Sequence, residues 1–282
     1  MVQPDPDRAE SQWSDDLAAA WEEHREYLFQ TQRLVSDWIV DQVDPQPGQT
    51  VLELAAGPGE TGFVAAERVG PEGKLISTDV GPGMVAASRR GAQARGLTNV
   101  EWRLMDAQDI DLPDMSVDGV LCRFGVMLMP DPASALAGSL RVLRSGGRLA
   151  YGVWAPPDRN PWVSLLVAAI LETGHAPPGD PFGPGGLFSL AAPERNRELL
   201  DEAGFSGARV EEIPGVMHFD DFEGYWTLQS RIAGRIALFL SGLSPDDIDA
   251  IRTTVQPMLA PFESDGAYDI PSLAIGACAQ RP

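Results

Sequence analysis

Lysine is almost missing from this chain: Lys74 stands alone, and 21 basic side chains face 41 acidic ones for a formal charge of −20. Binding a polyanion requires a basic face that displaces its counterions, so rRNA, tRNA and DNA are not expected partners. The acidity is read as solubility, with a cationic substrate as the minority reading. The lone lysine follows the turn in PEGK, which leaves no Tyr-x-x-x-Lys pair for short-chain hydride chemistry. Cysteine is equally scarce. Cys122 and Cys278 are too few for a disulfide framework and lack metal-ligand spacing, so no zinc or iron–sulfur site is expected. No stretch nears the roughly 18 apolar residues of a membrane span, and MVQPDPDRAESQ lacks the basic-then-apolar order of a secretory signal. The expectation is a cytoplasmic protein with no membrane span.

What is present is a globular composition, 44% hydrophobic over 282 residues, with a regular rhythm. Residues 1–12 read as a disordered tail. Between Ser14 and Val43, Leu17, Trp21, Leu28, Leu34, Val35, Trp38 and Ile39 recur at near-helical spacing, which predicts two amphipathic helices forming a lid over 13–48. Short apolar runs then alternate with helical stretches: TVLEL, KLISTD, VEWRLMD, VDGVLCRF and GRLAYGVW. Such alternation predicts an α/β fold, a Rossmann-like, seven-stranded, mostly parallel sheet with helices on both faces. The main unit spans 49–282. Segments at about 155–190 and 215–262 interrupt the rhythm and read as insertions, the second a helical one before a last strand at Ser272 to Cys278.

GPGETG, Gly57 to Gly62, fits the spacing G-x-G-x-x-G after the first strand, a turn shared by dinucleotide enzymes and by a second chemistry. A dinucleotide turn follows an apolar strand, but ELAAGPG puts Glu53 four residues ahead of the first glycine. A carboxylate repels a pyrophosphate and attracts an ammonium. VLELAAGPGETG resembles motif I of the class I S-adenosylmethionine-dependent methyltransferases. STDVGPGM, RLMDAQDIDLP, VDGVLCRFGVMLMPD and LRVLRSGGRLAYGVW are similar to that family's later signposts, in order. The wider pattern is similar to the methyltransferase type 11 group, which includes the ubiquinone and menaquinone C-methyltransferases.

The resemblance implies an S-adenosylmethionine site made of Glu53, Ala55, Gly57, Gly59, Asp79, Val80, Met84, Asp106, Ala107 and Arg123. Glu53 would meet the ammonium, Asp79 both ribose hydroxyls, Met84 the adenine, and Asp106 with Ala107 the adenine edge. Gly57 and Gly59 allow close backbone approach. Arg123 stands at a strand's C-terminal end, where it would meet the methionine carboxylate or the substrate, or form a plain surface ion pair. Candidate bases are His24, Tyr27 and His175, with His24 and Tyr27 on one face of a lid helix. Trp154, Trp162, Phe182, Phe188 and Trp226 read as an aromatic-lined pocket.

The implied function is methyl transfer to an O, N or C atom of a small apolar or aromatic molecule, by a monomer or homodimer. Three alternatives stay open from sequence: a cofactor-binding protein without turnover, an enzyme using the cofactor for its charge, and an NAD(P)-dependent oxidoreductase.

Overall fold

The computed structural model describes residues 14–176 and 179–282. The tail expected at 1–12 lies outside them. The five apolar runs form strands β1 (Thr50–Glu53), β2 (Lys74–Asp79), β3 (Val100–Leu104), β4 (Val117–Arg123) and β5 (Leu143–Trp154), all paired in parallel. Two long strands, β6 (Ser206–Phe219) and β8 (Ala267–Gln280), complete the path β3-β2-β1-β4-β5-β8-β6, with β8 antiparallel to both neighbours. This is the expected seven-stranded, mostly parallel sheet. A two-residue strand, β7 (Glu263–Ser264), pairs with β8 as an eighth.

Helices α1 (Asp15–Glu23), α2 (Arg25–Thr31) and α3 (Arg33–Val43) precede the sheet. α4 (Glu60–Val69), α5 (Pro82–Ala94) and α6 (Pro132–Val142) connect the parallel strands, and α7 (Pro161–Glu172) and α8 (Pro193–Ala203) follow β5. Local chemistry sets their starts. Asp131 caps α6 by accepting from the Ser134 amide, with Pro132 at the first helical position, where its missing N–H costs nothing.

Two boundaries differ from expectation. The N-terminal unit at 13–48 divides, because α3 belongs to the core: Ile39 and Val40 are fully buried, and Val43 presses on Gly119 of β4 and Val35 on Gly152 of β5. A Cβ on Gly152 would lie 2.7 Å from the Val35 side chain, so glycine here brings helix and sheet into close contact. That leaves α1 and α2 as the helices ahead of this core helix. The second insertion also begins later, because β6 runs on through Phe219 with Ile213, Met217 and Phe219 buried at alternate positions. It then comprises α9 (Phe222–Thr227), a π-helical turn (Leu228–Ile232), α10 (Arg235–Ser241) and α11 (Pro245–Met258).

Candidate functional site

Everything that the parallel strands offer a ligand gathers at their C-terminal ends. β1 ends in a turn where Ala55, Gly57 and Gly59 all have positive φ, at 48°, 55° and 93°. On the neighbouring strand β4, Phe124 has φ 58°. Two non-glycine residues in the left-handed region on adjacent strand ends mark stored strain, which clusters at ligand sites. They meet: a Cβ on Gly125 would lie 2.5 Å from the Ala55 Cβ. Gly59 is doubly constrained, since any Cβ there would also reach within 2.7 Å of the Phe63 ring.

Two carboxylates hold this turn. Asp79, at the end of β2, accepts from the Gly57 amide through Oδ2 and from the Gly81 amide through Oδ1, each at 2.8 Å. Burial raises its pKa against the pull of those amides. Glu53 is 2% exposed. It accepts from the Gly62 amide in α4 at 2.7 Å and from the Ser77 hydroxyl at 3.4 Å. This corrects its expected place: the carboxylate points inward onto the helix start, not into the groove toward an ammonium. Desolvation pushes its pKa up to about 8, opposed by the Gly62 amide and then by Arg123. Through the Gly62 amide it shares the turn-holding role with Asp79.

A pH prediction follows. Folded Glu53 keeps its proton to about pH 8, whereas the unfolded chain releases it near 4.5. The folded state therefore binds more protons in that window, and stability falls as pH rises through it. Urea midpoints measured from pH 5 to 9 are expected to decline more steeply for the wild type than for Glu53→Gln, which keeps an acceptor for Gly62 without a titrating proton. Parallel declines would show that Glu53 is already ionised in the folded chain.

Of the other expected cofactor residues, Val80 is 42% exposed beside Asp79, Ala107 is buried, and Asp106 is exposed with its carboxylate accepting from the Gln108 amide at 2.9 Å. Met84 is 1% exposed and packs with Leu17, Ala18 and Trp21 of α1. The same approach explains Gly83, whose Cβ would come within 2.8 Å of Ala18. Arg123 is half-buried, with Nη1 buried and unpartnered, and it feels the charges of Glu60 and Glu53. An ordinary surface ion pair therefore does not describe it.

The candidate bases do not converge. Tyr27 donates its hydroxyl to the His218 carbonyl at 2.7 Å and its ring leans on Phe219, while burial raises its pKa. The chain breaks between α1 and α2 at His24, which turns Tyr27 toward β6. His175 is tied to Thr173 at 3.3 Å and Asp247 at 3.5 Å, joining the end of α7 to α11. These contacts make Tyr27 and His175 struts. His24 alone of the three keeps a buried, unpartnered ring nitrogen, Nε2.

Sequence reasoning missed the contacts by which Trp21 and Arg25 fasten α1 and α2. Trp21 covers the glycine turn, its ring 3.9 Å from where a Gly57 Cβ would be, and donates to the Ile232 carbonyl at 2.9 Å. Arg25 reaches across to the carbonyls of Pro58 and Ala87 and lies 3.3 Å from buried Glu60. The only sequence signal was helical periodicity, which marks a buried face and not its partner. The aromatic residues divide as well. Trp154 stacks on Phe124 at 4.0 Å and meets Trp162 at 5.0 Å, but Phe182 pairs with Phe188 and is 57% exposed, and Trp226 lies with Phe222.

A strained glycine turn, an acidic residue closing the second strand and this strand order define a nucleotide-binding α/β fold. Residues 45–155 match the family model of a methyltransferase domain. The nocamycin O-methyltransferase of Saccharothrix syringae is 31% identical over 70% of this chain and 77% of its own length. Aklanonic acid methyltransferase of Streptomyces sp. strain C5 is 35% identical over 49% of this chain and 65% of that protein. The YcgJ protein of Bacillus subtilis shares the fold at a TM-score of 0.57 and 18% identity, over 88% of this chain and 98% of that one. The chain belongs to the S-adenosylmethionine-dependent methyltransferases.

Proposed function

We propose that this protein transfers a methyl group from S-adenosylmethionine to a small, flat, largely apolar molecule. The observation that carries the acceptor class is the stacked pair Phe124 and Trp154, because Phe124 adjoins the glycine turn through Gly125 and Ala55. Two relatives are named for nocamycin and aklanonic acid, and the nocamycin protein is named as an O-methyltransferase. Transfer to oxygen is accordingly the version favoured over nitrogen and carbon. The charge of −20 supports a small acceptor over a nucleic acid.

The residues present fit the cofactor. Gly57 and Gly59 provide a cradle that side chains would fill, Asp79 is fixed by two amides with lone pairs left for a ribose diol, and Arg123 keeps an unpartnered Nη1 for a carboxylate. Ala55, Val80 and Ala107 line the same strand ends. When bound, S-adenosylmethionine supplies an electrophilic methyl group on a good, neutral leaving group. What the chain adds is alignment and exclusion of water. Trp21 closes the glycine turn from above, and Phe124 and Trp154 fix the plane of the acceptor.

Calorimetric titration with S-adenosylmethionine, S-adenosylhomocysteine and NADPH tests the reading, followed by assay of S-adenosylhomocysteine release with phenolic, quinone and amine acceptors. Binding of the two sulfur compounds alone, and turnover with a phenol or quinone, is expected. Binding without any release across the panel would favour a non-transferring role.

A further inference from the structure

Gln229 sits in the π-helical turn of the second insertion and is fully buried. Its amide lies 2.6 Å from the Trp162 carbonyl. A backbone carbonyl only accepts, so the atom facing it must be the NH2 group, and the side-chain oxygen is the free end. That oxygen, Oε1, is buried with no partner. An unpaired buried acceptor is costly, and folded chains keep few of them without a use.

The surroundings give the use. The π turn is fastened on two sides: Gln229 bonds to Trp162, and Ile232, its last residue, accepts from Trp21. Trp162 leads through Trp154 and Phe124 to the glycine turn, and Trp21 leads back to Gly57. The π turn is thus tied by contacts both to the aromatic residues and to the glycine turn. Such turns replace regular helix mostly at functional sites, because the widened backbone re-aims side chains.

We propose that Gln229 is a specificity residue for the methyl acceptor: Oε1 accepts a hydrogen bond from a hydroxyl of a planar ring system seated against Trp154 and Trp162. This rests on the aromatic-acceptor reading above. A polar site of this kind discriminates strongly against an analogue lacking the donor, because the analogue leaves the buried oxygen unpaired.

The test is binding, followed by tryptophan fluorescence on the full chain saturated with S-adenosylhomocysteine, of dihydroxynaphthalene and its dimethyl ether. Wild type is expected to prefer the dihydroxy compound by about tenfold or more. Gln229→Met, of similar volume, is expected to lose that preference while binding S-adenosylhomocysteine as before. Gln229→Leu, also apolar and of similar volume, is expected to lose the preference likewise, so a folding defect in one variant does not remove the test. A purely structural Gln229 would weaken both probes equally, leaving the ratio intact, and that result overturns the proposal. Wild type that binds S-adenosylhomocysteine but neither probe also overturns it. Failure to bind S-adenosylhomocysteine would instead bring down the underlying functional reading.

Discussion

Asp79→Ala is expected to weaken S-adenosylmethionine binding by about a hundredfold or more, measured by titration calorimetry. Two losses combine. The ribose diol loses a charged acceptor in a buried setting, where each such hydrogen bond is stronger than in water. The Gly57 and Gly81 amides, each 2.8 Å from the carboxylate, also lose their partner, so the turn that must approach the cofactor is released. Without ligand the variant is expected to lose about 1–3 kcal/mol of stability from those stranded donors. Asp79→Asn is not a rescue. A carboxamide has one acceptor oxygen, and its NH2 would face one of the two amide donors. Binding by Asp79→Ala within threefold of wild type would remove Asp79 from the cofactor site.

The same residue shows what sequence alone conveys. Asp79 ends a strand, and a strand-end acid twenty residues past Gly59 has one topological place to go, beside the first turn. Five ordered signposts therefore conveyed the mostly parallel sheet and the acid that ends its second strand. Glu53 was legible as unusual and misread in direction. Strand periodicity says that position 53 alternates in or out, but the inward pull comes from the Gly62 amide, nine residues on and across a turn whose curl no local pattern encodes. Tyr27 failed for a related reason. Its spacing from His24 assumed one continuous helix, and the helix breaks at His24 itself.

The acceptor side was least legible. Gln229 carries no motif, and its burial depends on α7, α1 and the π turn meeting over the sheet, which are contacts between segments far apart in sequence. Asn160 works in the same way: fully buried, it bonds to the Ala155 and Leu273 carbonyls, the Leu273 amide and the Trp162 indole, pinning the aromatic wall to β5 and β8.

Gly62→Ala is the second large effect expected, and its sign runs against helix propensity. In the interior of an exposed helix this change gains up to about 1 kcal/mol. Here the new methyl would collide with Glu53, whose carboxyl carbon lies 2.6 Å from the Cβ position, and with Leu75 at 2.9 Å. Neither can retreat, because Leu75 is fully buried in β2 and Glu53 is held by the Gly62 amide itself. Overpacking of this kind is expected to cost about 2–3 kcal/mol net in urea denaturation. It also displaces the Glu53 carboxyl group that holds the Gly62 amide, so cofactor affinity is expected to fall with it. Adding Glu53→Ala to Gly62→Ala removes the obstruction. The double variant is expected to be more stable than the sum of the single losses by at least about 1 kcal/mol, the signature of two groups in contact. Strict additivity would place the crowding elsewhere and would leave Glu53 free to face the groove after all.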